Sequence, residues 1–250
     1  MKIPSVLAAI GFAILSAPGS QAAEVKVLSS NALKTVLEEL GPQFEKATEH
    51  KLAFTLGTAV GLKVDIEKGA AFDVAILTAS AIDDLIKQGK VVAARTDLAR
   101  SGAGMAVRKG APKPDISTTE AFKRTLINAK SIAYVEPGGT GIYLKGLLER
   151  LGIAEELKAK TKLLPSTNPA ALAVANGEAE IGMTQISEIL PYAGAELVGP
   201  LPPDIQLYTV FSAGTGANGS APDAAKALIK FLTSPDAARV IKAKGLEPAS

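Results

Sequence analysis

Short apolar runs alternate with helix-period stretches along most of the chain. EVKVL (24–28) predicts a strand, and apolar residues then recur every three or four positions from 33 to 44. KLAFTL (51–56) predicts a second strand, followed by a helix that contains Leu62 and Ile66. The nearly continuous apolar run FDVAIL (72–77) is typical of a parallel strand buried on both faces. This alternation predicts a parallel sheet covered by helices.

Particular residues mark the predicted helix ends. Ser80 is the expected N-cap of the helix SAIDDLIKQG, and Gly89 is its C-terminal stop. Near the end of the chain, Ser234 followed by Pro235 predicts the start of the last helix, because proline favours the first helical position.

A second alternating block starts at SIAYV (131–135), after the Pro/Gly-rich break KGAPKPDIS (109–117). It ends at a second break, VGPLPPD (198–204), after which a late strand and two helices return to the first block. We therefore expect an α/β protein with two lobes, each a mostly parallel sheet flanked by helices. The predicted lobes are residues 24–105 plus 206–250 and residues 106–205, with crossover segments near Arg100–Ala106 and Pro203–Thr209. Small ligands usually bind in a cleft between such units.

The N-terminus has the pattern of a secretory signal peptide. Lys2 precedes an apolar run over 6–15, and small residues follow at Ser20 and Ala22. We expect residues 1–22 to be removed, with cleavage after Ala22 or Ala23, and the mature protein to be periplasmic. A membrane anchor is the alternative, but a spanning helix needs about 20 apolar residues and polar ones interrupt this run.

Composition narrows the class of protein. With 47% hydrophobic and 21% charged residues, the chain can bury sizeable cores. With a net charge of only +2 and 4% aromatic residues, the chain does not have the composition typical of a nucleic-acid-binding protein. Since the sequence has no cysteine, disulfides, thiolate metal ligands and a lipid-attachment cysteine are excluded. We expect a monomer without a cofactor or a bound metal cation, and without a lipid anchor.

Four strand-to-helix turns carry small residues and neutral hydrogen-bond donors. The candidate binding residues there are Ser30 and Asn31, Thr58, Thr140, and Thr167 with Asn168. Helix N-termini bind anions through free backbone N–H groups, and these turns lie beyond the carboxyl ends of the strands. Ordinary N-caps are the alternative explanation for each turn. Lys34, Lys63 and Lys145, just inside three of these helices, either add a positive field or are solvated surface lysines.

Four segments resemble the periplasmic molybdate-binding proteins of bacterial ABC importers. They are KVLSSNALKTVLEELGPQFEKATEHKL, GLKVDIEKGAAFDVAI, EPGGTGIYLKGLLERLG and NGEAEIGMTQISEI. The resemblance covers residues 24–248 and implies a two-lobed periplasmic binding protein fold (a Venus flytrap). Such a protein closes on an oxyanion without lysine or arginine contacts and delivers it to a membrane permease.

The resemblance also implies a set of ligand positions. The places of the family's two serines fall at Ala32 and Ala59, its amide donors at Thr140 and Thr167, and its tyrosine at Gln185. All three side-chain donors are thus changed, although Ser30, Asn31 and Thr58 lie near. Molybdate or tungstate, another oxyanion or a small organic carboxylate, and an uncharged solute therefore remain open as ligands.

The residues give little support for an enzyme. His50, the only histidine, is interpreted as a solvated connector. Asp73, Asp83 and Asp84 are interpreted as salt-bridged or solvated, and Glu136 as facing solvent or a lysine. A transferase or dehydratase on a binding-protein fold is the enzyme alternative, and a sensory domain is a third class.

Overall fold

The structure is a computed structural model that describes residues 22–92 and 94–249. Its strands are β1 (Glu24–Ser30), β2 (Lys51–Gly57), β3 (Val74–Thr78), β4 (Thr96–Arg108), β5 (Ile132–Val135), β6 (Thr161–Leu164), β7 (Ile181–Gln185), β8 (Ala195–Pro200), β9 (Tyr208–Thr215) and β10 (Glu247–Pro248). Its α-helices are α1 (Lys34–Thr48), α2 (Ala59–Glu67), α3 (Ala79–Lys87), α4 (Thr119–Asn128), α5 (Gly139–Arg150), α6 (Ala154–Leu157), α7 (Ala170–Ala175), α8 (Ile186–Ile189), α9 (Pro222–Leu232) and α10 (Pro235–Ala243). Short 3-10 turns cover Asn31–Leu33, Lys158–Lys160 and Pro203–Ile205. Of the predicted signal peptide, residues 1–22, all but Ala22 lies outside the described residues.

The strands form one continuous sheet in the order β2-β1-β3-β9-β4-β7-β5-β6, with β8 and β10 also paired to β4. β1 runs parallel to β2 and β3, and β5 runs parallel to β6 and β7. The antiparallel pairs all involve β4 or β9, the strands that connect the two halves. The predicted α/β fold with two mostly parallel halves is therefore confirmed.

β4 belongs to both halves of the sheet. Its first part, from Thr96 to Gly102, pairs with β9, and its second part, from Ala103 to Val107, pairs with β7. At the change of partner, the Gln206 side-chain oxygen accepts hydrogen bonds from the Ala103 N–H at 3.0 Å and the Leu207 N–H at 2.8 Å. The predicted division into residues 24–105 plus 206–250 and 106–205 stays a prediction, and this pairing change lies close to its first boundary.

Helices cover both faces of the sheet in each half, as β3 shows. Val74 and Ile76 pack into the cluster formed with α1, α9 and α10, whereas Ala75 and Leu77 pack into the cluster with α2 and α3. All four side chains are fully buried. The prediction of a strand buried on both faces is therefore confirmed at these positions.

Two predicted helix ends are confirmed and one is wrong. Gly89 adopts a φ of +69° just beyond α3, and the Ser234 hydroxyl accepts a hydrogen bond from the Ala237 N–H at 3.2 Å. The N-cap of α3 is Thr78 rather than Ser80, since the Thr78 hydroxyl accepts from the Ala81 N–H at 3.3 Å. The helix thus begins directly at the strand end.

His50, interpreted as a solvated connector, and Asp73, interpreted as salt-bridged or solvated, are both buried. The His50 ring packs near Phe44, and its Nδ1 accepts a hydrogen bond from the Ala23 N–H at 3.2 Å. The Asp73 carboxylate is fully buried and accepts hydrogen bonds from the backbone N–H groups of Lys26 at 2.8 Å and Ala221 at 2.9 Å. Both side chains join separate segments of the first half.

None of the helices formed by the described residues has the length and apolar character needed to cross a membrane.

Candidate ligand-binding site

A cavity of about 420 Å³ lies where the carboxyl ends of strands from both halves meet. Six strand-to-helix turns line it, three after β1, β2 and β3 and three after β5, β6 and β7. The polar lining residues at these turns include Ser30, Thr58, Thr78, Thr140, Thr167 and Gln185. Parallel strands place their carboxyl ends at one edge of a sheet, which is why turns distant in sequence converge.

Hydroxyl groups of the first half cap helices and also face the cavity. The Thr58 hydroxyl accepts from the Gly61 N–H at 3.1 Å, and the Ser30 hydroxyl accepts from the Ala32 N–H at 3.4 Å. A hydroxyl that accepts in this way still has its own hydrogen to donate. Capping and ligand binding are therefore compatible uses of the same side chain.

Gln185, in the cavity lining, joins two elements. Its side-chain N–H groups donate to the hydroxyls of Thr140 on α5 at 2.9 Å and Thr209 on β9 at 3.0 Å. Its Oε1 atom is buried and has no hydrogen-bond partner among the described residues. A buried unpaired acceptor costs about 1–3 kcal/mol, so a ligand that supplies a donor gains by binding here.

The same amide also suits a ligand that accepts hydrogen bonds. Each threonine hydroxyl can donate as well as accept, so the amide of Gln185 can turn over without losing either bond. It then presents N–H groups to the cavity.

The GGTG sequence (138–141) at the start of α5 has a packing explanation. A Cβ atom at Gly141 would lie 2.0 Å from the carbonyl oxygen of Val135, so only glycine lets the helix approach the end of β5 this closely. α5 begins after Gly138, and no side chain caps it. Backbone N–H groups of its first turn are thus available beside the cavity.

The structure brings eight of the nine predicted site residues to the cavity. Asn31, Ala32 and Ala59 line it together with the polar residues named above. Asn168 is not among the lining residues, because its side-chain amide turns away and donates to Glu178 at 3.1 Å. Whether the eight contact a ligand stays a prediction.

Lys34 is the one cation of the cavity lining, counted over the described residues. It pairs with Glu38 at 2.7 Å. The two other lysines considered from the sequence do not line the cavity: Lys63 pairs with Glu67 at 2.8 Å, and Lys145 lies 3.7 Å from Glu136. Glu136 thus faces a lysine, which is one of the two environments expected for it. Of the three lysines expected to add a positive field, only Lys34 lies at the cavity, and its charge is paired with Glu38.

Sequence reasoning missed Glu188, which also lines the cavity. Burial raises the pKa of Glu188, while a hydrogen bond from the Thr184 hydroxyl and one from the Gln185 backbone N–H lower it by less. Burial likewise raises the pKa of Tyr192, another lining residue. The only sequence signal was a glutamate three residues beyond a strand end, which the capping-box pattern explains equally well.

Thr78 and Thr209 were also missed. The turn at Thr78 follows the same pattern as the predicted ones and was hidden because the N-cap was assigned to Ser80. Thr209 lies on β9, and only the fold brings it near Gln185. Among the described residues, no three His, Asp or Glu side chains are grouped so that they could hold a metal ion.

A sheet shared by two halves, with one cavity lined by helix starts from both, defines a two-lobed periplasmic binding protein. The chain belongs to the family of bacterial extracellular solute-binding proteins, whose family model matches residues 25–247. This family is periplasmic or otherwise extracellular and consists mainly of binding proteins.

Two kinds of relatives match nearly the whole chain. An aconitate isomerase from Pseudomonas sp. is 36% identical, over 99% of this chain and 97% of its own length. The molybdate-binding protein ModA from Azotobacter vinelandii is 28% identical, over 98% of this chain and 97% of its own. The predicted resemblance to molybdate-binding proteins is therefore confirmed, as that of a divergent member.

Solved structures agree on the fold. The periplasmic molybdate-binding protein of Azotobacter vinelandii aligns with a TM-score of 0.76 at 21% identity, covering 90% of this chain and all of that one. The sulfate-binding protein SubI from Mycobacterium tuberculosis aligns with a TM-score of 0.74 at 15% identity, covering 91% and 88%.

Proposed function

We propose that the protein is an exported receptor that captures a small organic acid with two or more carboxylates between its lobes. The size of the cavity carries this proposal. Its 420 Å³ lies within the 300–1,000 Å³ typical of sites for small organic ligands. A tetrahedral oxyanion displaces only two to three water volumes, roughly 60–90 Å³, and would leave most of the cavity to solvent.

The distribution of donors supports a ligand with several carboxylates. Ser30, Thr58 and Thr78 face the cavity from one half, and Thr140 and Thr167 from the other. Separate carboxylates of one molecule can bind both groups at once. Because such a ligand has more contacts in the closed form, it shifts the lobes toward closure, and a membrane permease then recognises that form.

The molybdate or tungstate hypothesis has the overall family likeness in its favour. Against it, Ala32, Ala59 and Gln185 stand where side-chain donors are expected, and each hydrogen bond lost to a buried charge costs about 1.5–3 kcal/mol. This ligand is therefore the competing outcome of the test.

The test is calorimetric titration of the purified protein with trans-aconitate, citrate, molybdate and sulfate. We expect a saturable heat of binding with a tricarboxylate and none with molybdate. A ligand at 100 times its dissociation constant should also add about 2.7 kcal/mol to the free energy of unfolding. Tight binding of molybdate with no response to any carboxylate would overturn the proposal.

A second candidate function is isomerisation of aconitate. Two observations favour it: the 36% identity to an aconitate isomerase over 99% of the chain, and the ionisable carboxyl of Glu188 in the cavity. The measurement is conversion of trans-aconitate followed by NMR in the presence of the protein. Binding without conversion would leave a receptor alone.

A further inference from the structure

We infer that Glu188 is the catalytic base of this cavity and that its carboxylate removes a proton from the methylene carbon of a bound tricarboxylate of the aconitate type. The inference rests on the second function proposed above. It names the group that moves the proton and the step in which it acts.

The lining of the cavity narrows the choice of base. Among the described residues, its ionisable side chains are Lys34, Glu188 and Tyr192. Lys34 is a cation paired with Glu38 at 2.7 Å. The pKa of Tyr192 is raised above its ordinary value of 10.0, chiefly by burial, so the phenol keeps its proton at neutral pH. The carboxylate of Glu188 is the one group of the three able to accept a proton there.

The surroundings of Glu188 suit a base. Glu188 lies in α8, three residues beyond β7. The Thr184 hydroxyl, near the end of that strand, donates a hydrogen bond to one of its carboxylate oxygens. Among the described residues, no lysine or arginine pairs with it, and burial raises its pKa above the ordinary value of 4.5.

The chemistry needs no co-reactant. Aconitate is a propene with three carboxylates, one of them on a methylene carbon. The methylene C–H bond breaks, its proton goes to Glu188, and its electron pair forms a new double bond to the central carbon. The electrons of the old double bond then take a proton at the far carbon from the same carboxyl, which regenerates the carboxylate. Product is again aconitate, with the double-bond geometry set by the cavity.

Helix starts stabilise the charge that develops in between. Negative charge spreads onto an outer carboxylate of the substrate when the proton leaves. Backbone N–H groups at the uncapped start of α5 and hydroxyls such as that of Thr58 are fixed donors for that charge.

The experiment measures proton transfer separately from binding. Trans-aconitate is incubated in D₂O with wild-type protein, Glu188→Gln and the control Glu155→Gln, whose side chain is 91% exposed. Deuterium incorporation and isomerisation are followed by NMR, and affinity by calorimetry. We expect wild type and Glu155→Gln to exchange, and Glu188→Gln to bind within about threefold but exchange at least about 100-fold more slowly. Glu188→Asp should recover part of the rate.

A pH profile separates catalysis from structural support. Thr184→Val removes a hydrogen bond that lowers the pKa of Glu188, so the acidic limb of kcat/KM should move to higher pH. Lys34 and Tyr192 are unchanged in this variant.

The outcomes distinguish the two claims. Exchange at the wild-type rate in Glu188→Gln, or an unmoved acidic limb in Thr184→Val, overturns the role of Glu188. Wild-type protein that binds trans-aconitate without any exchange and without any isomerisation overturns the inference and leaves capture intact. Failure to bind any carboxylate overturns capture and the inference together.

Discussion

Replacing Gln185 with leucine tests the centre of the candidate site. The change removes two hydrogen bonds, to Thr140 and Thr209, which contribute about 1 kcal/mol each to the free energy of unfolding. It also removes the buried unpaired Oε1 atom, which returns about 1 kcal/mol. The net loss of about 1 kcal/mol is small beside a typical total of 5–15 kcal/mol, so the variant should fold.

The expected effect on binding is larger. If Gln185 makes one hydrogen bond to a charged ligand, its loss costs about 1.5–3 kcal/mol, or about 10- to 150-fold in affinity. Urea unfolding measures the stability, and calorimetric titration with trans-aconitate measures the affinity. Gln88→Leu is the matched control, because that exposed amide binds Glu67 outside the cavity. An affinity equal to that of wild type would show that Gln185 only holds α5 to β9.

Three further predictions concern other residues. Thr58→Val and its control Thr118→Val each remove a threonine N-cap and should each cost about 1 kcal/mol of stability in urea unfolding. Only Thr58 lines the cavity, so only Thr58→Val should weaken trans-aconitate binding in calorimetry. Equal affinities would remove Thr58 from the site. Asp73→Ala leaves buried backbone N–H groups unpaired and should cost about 3–5 kcal/mol of stability in urea unfolding. The control is Asp83→Ala, which removes a partly exposed salt bridge to Arg95 and should cost under about 1 kcal/mol. Similar losses in the two variants would contradict this prediction. Because burial raises the pKa of Glu188 above its ordinary 4.5, the folded state holds this proton more tightly than the unfolded state does. The resulting contribution to the free energy of unfolding is complete below pH 4.5 and is lost as pH rises through the pKa of the folded state. Glu188→Gln should therefore gain stability relative to wild type from pH 4.5 to 7 in urea unfolding, by at most about 1.4 kcal/mol per pH unit, and a pH-independent difference would refute the assignment.

Local patterns in the sequence predicted most of the fold. Strand–helix alternation gave the parallel halves, because a strand such as β3 must be apolar on both faces to lie between helices. The missed elements include α4, whose charged residues obscure its apolar face, the edge strand β8, and the short elements α6, α8 and β10. Whether Asp73 and His50 are buried depends on contacts between distant segments, which no local pattern records.

The site was predictable where it depends on a local turn. Ser30, Thr58, Thr140 and Thr167 follow strand ends, and parallel strands bring those ends together. Thr209 and Glu188 depend on how β9 and α8 meet the other elements. The direction in which the Asn168 side chain turns depends on Glu178, ten residues away.

The central claim is that helix starts of both lobes bind the carboxylates of one small organic acid. A crystal structure of the protein with trans-aconitate tests it most directly. We predict density for the ligand in the cavity, with carboxylate oxygens within hydrogen-bond distance of the Thr58 turn and of the Thr140 turn. Ligand bound at only one lobe, or elsewhere on the surface, would contradict the claim.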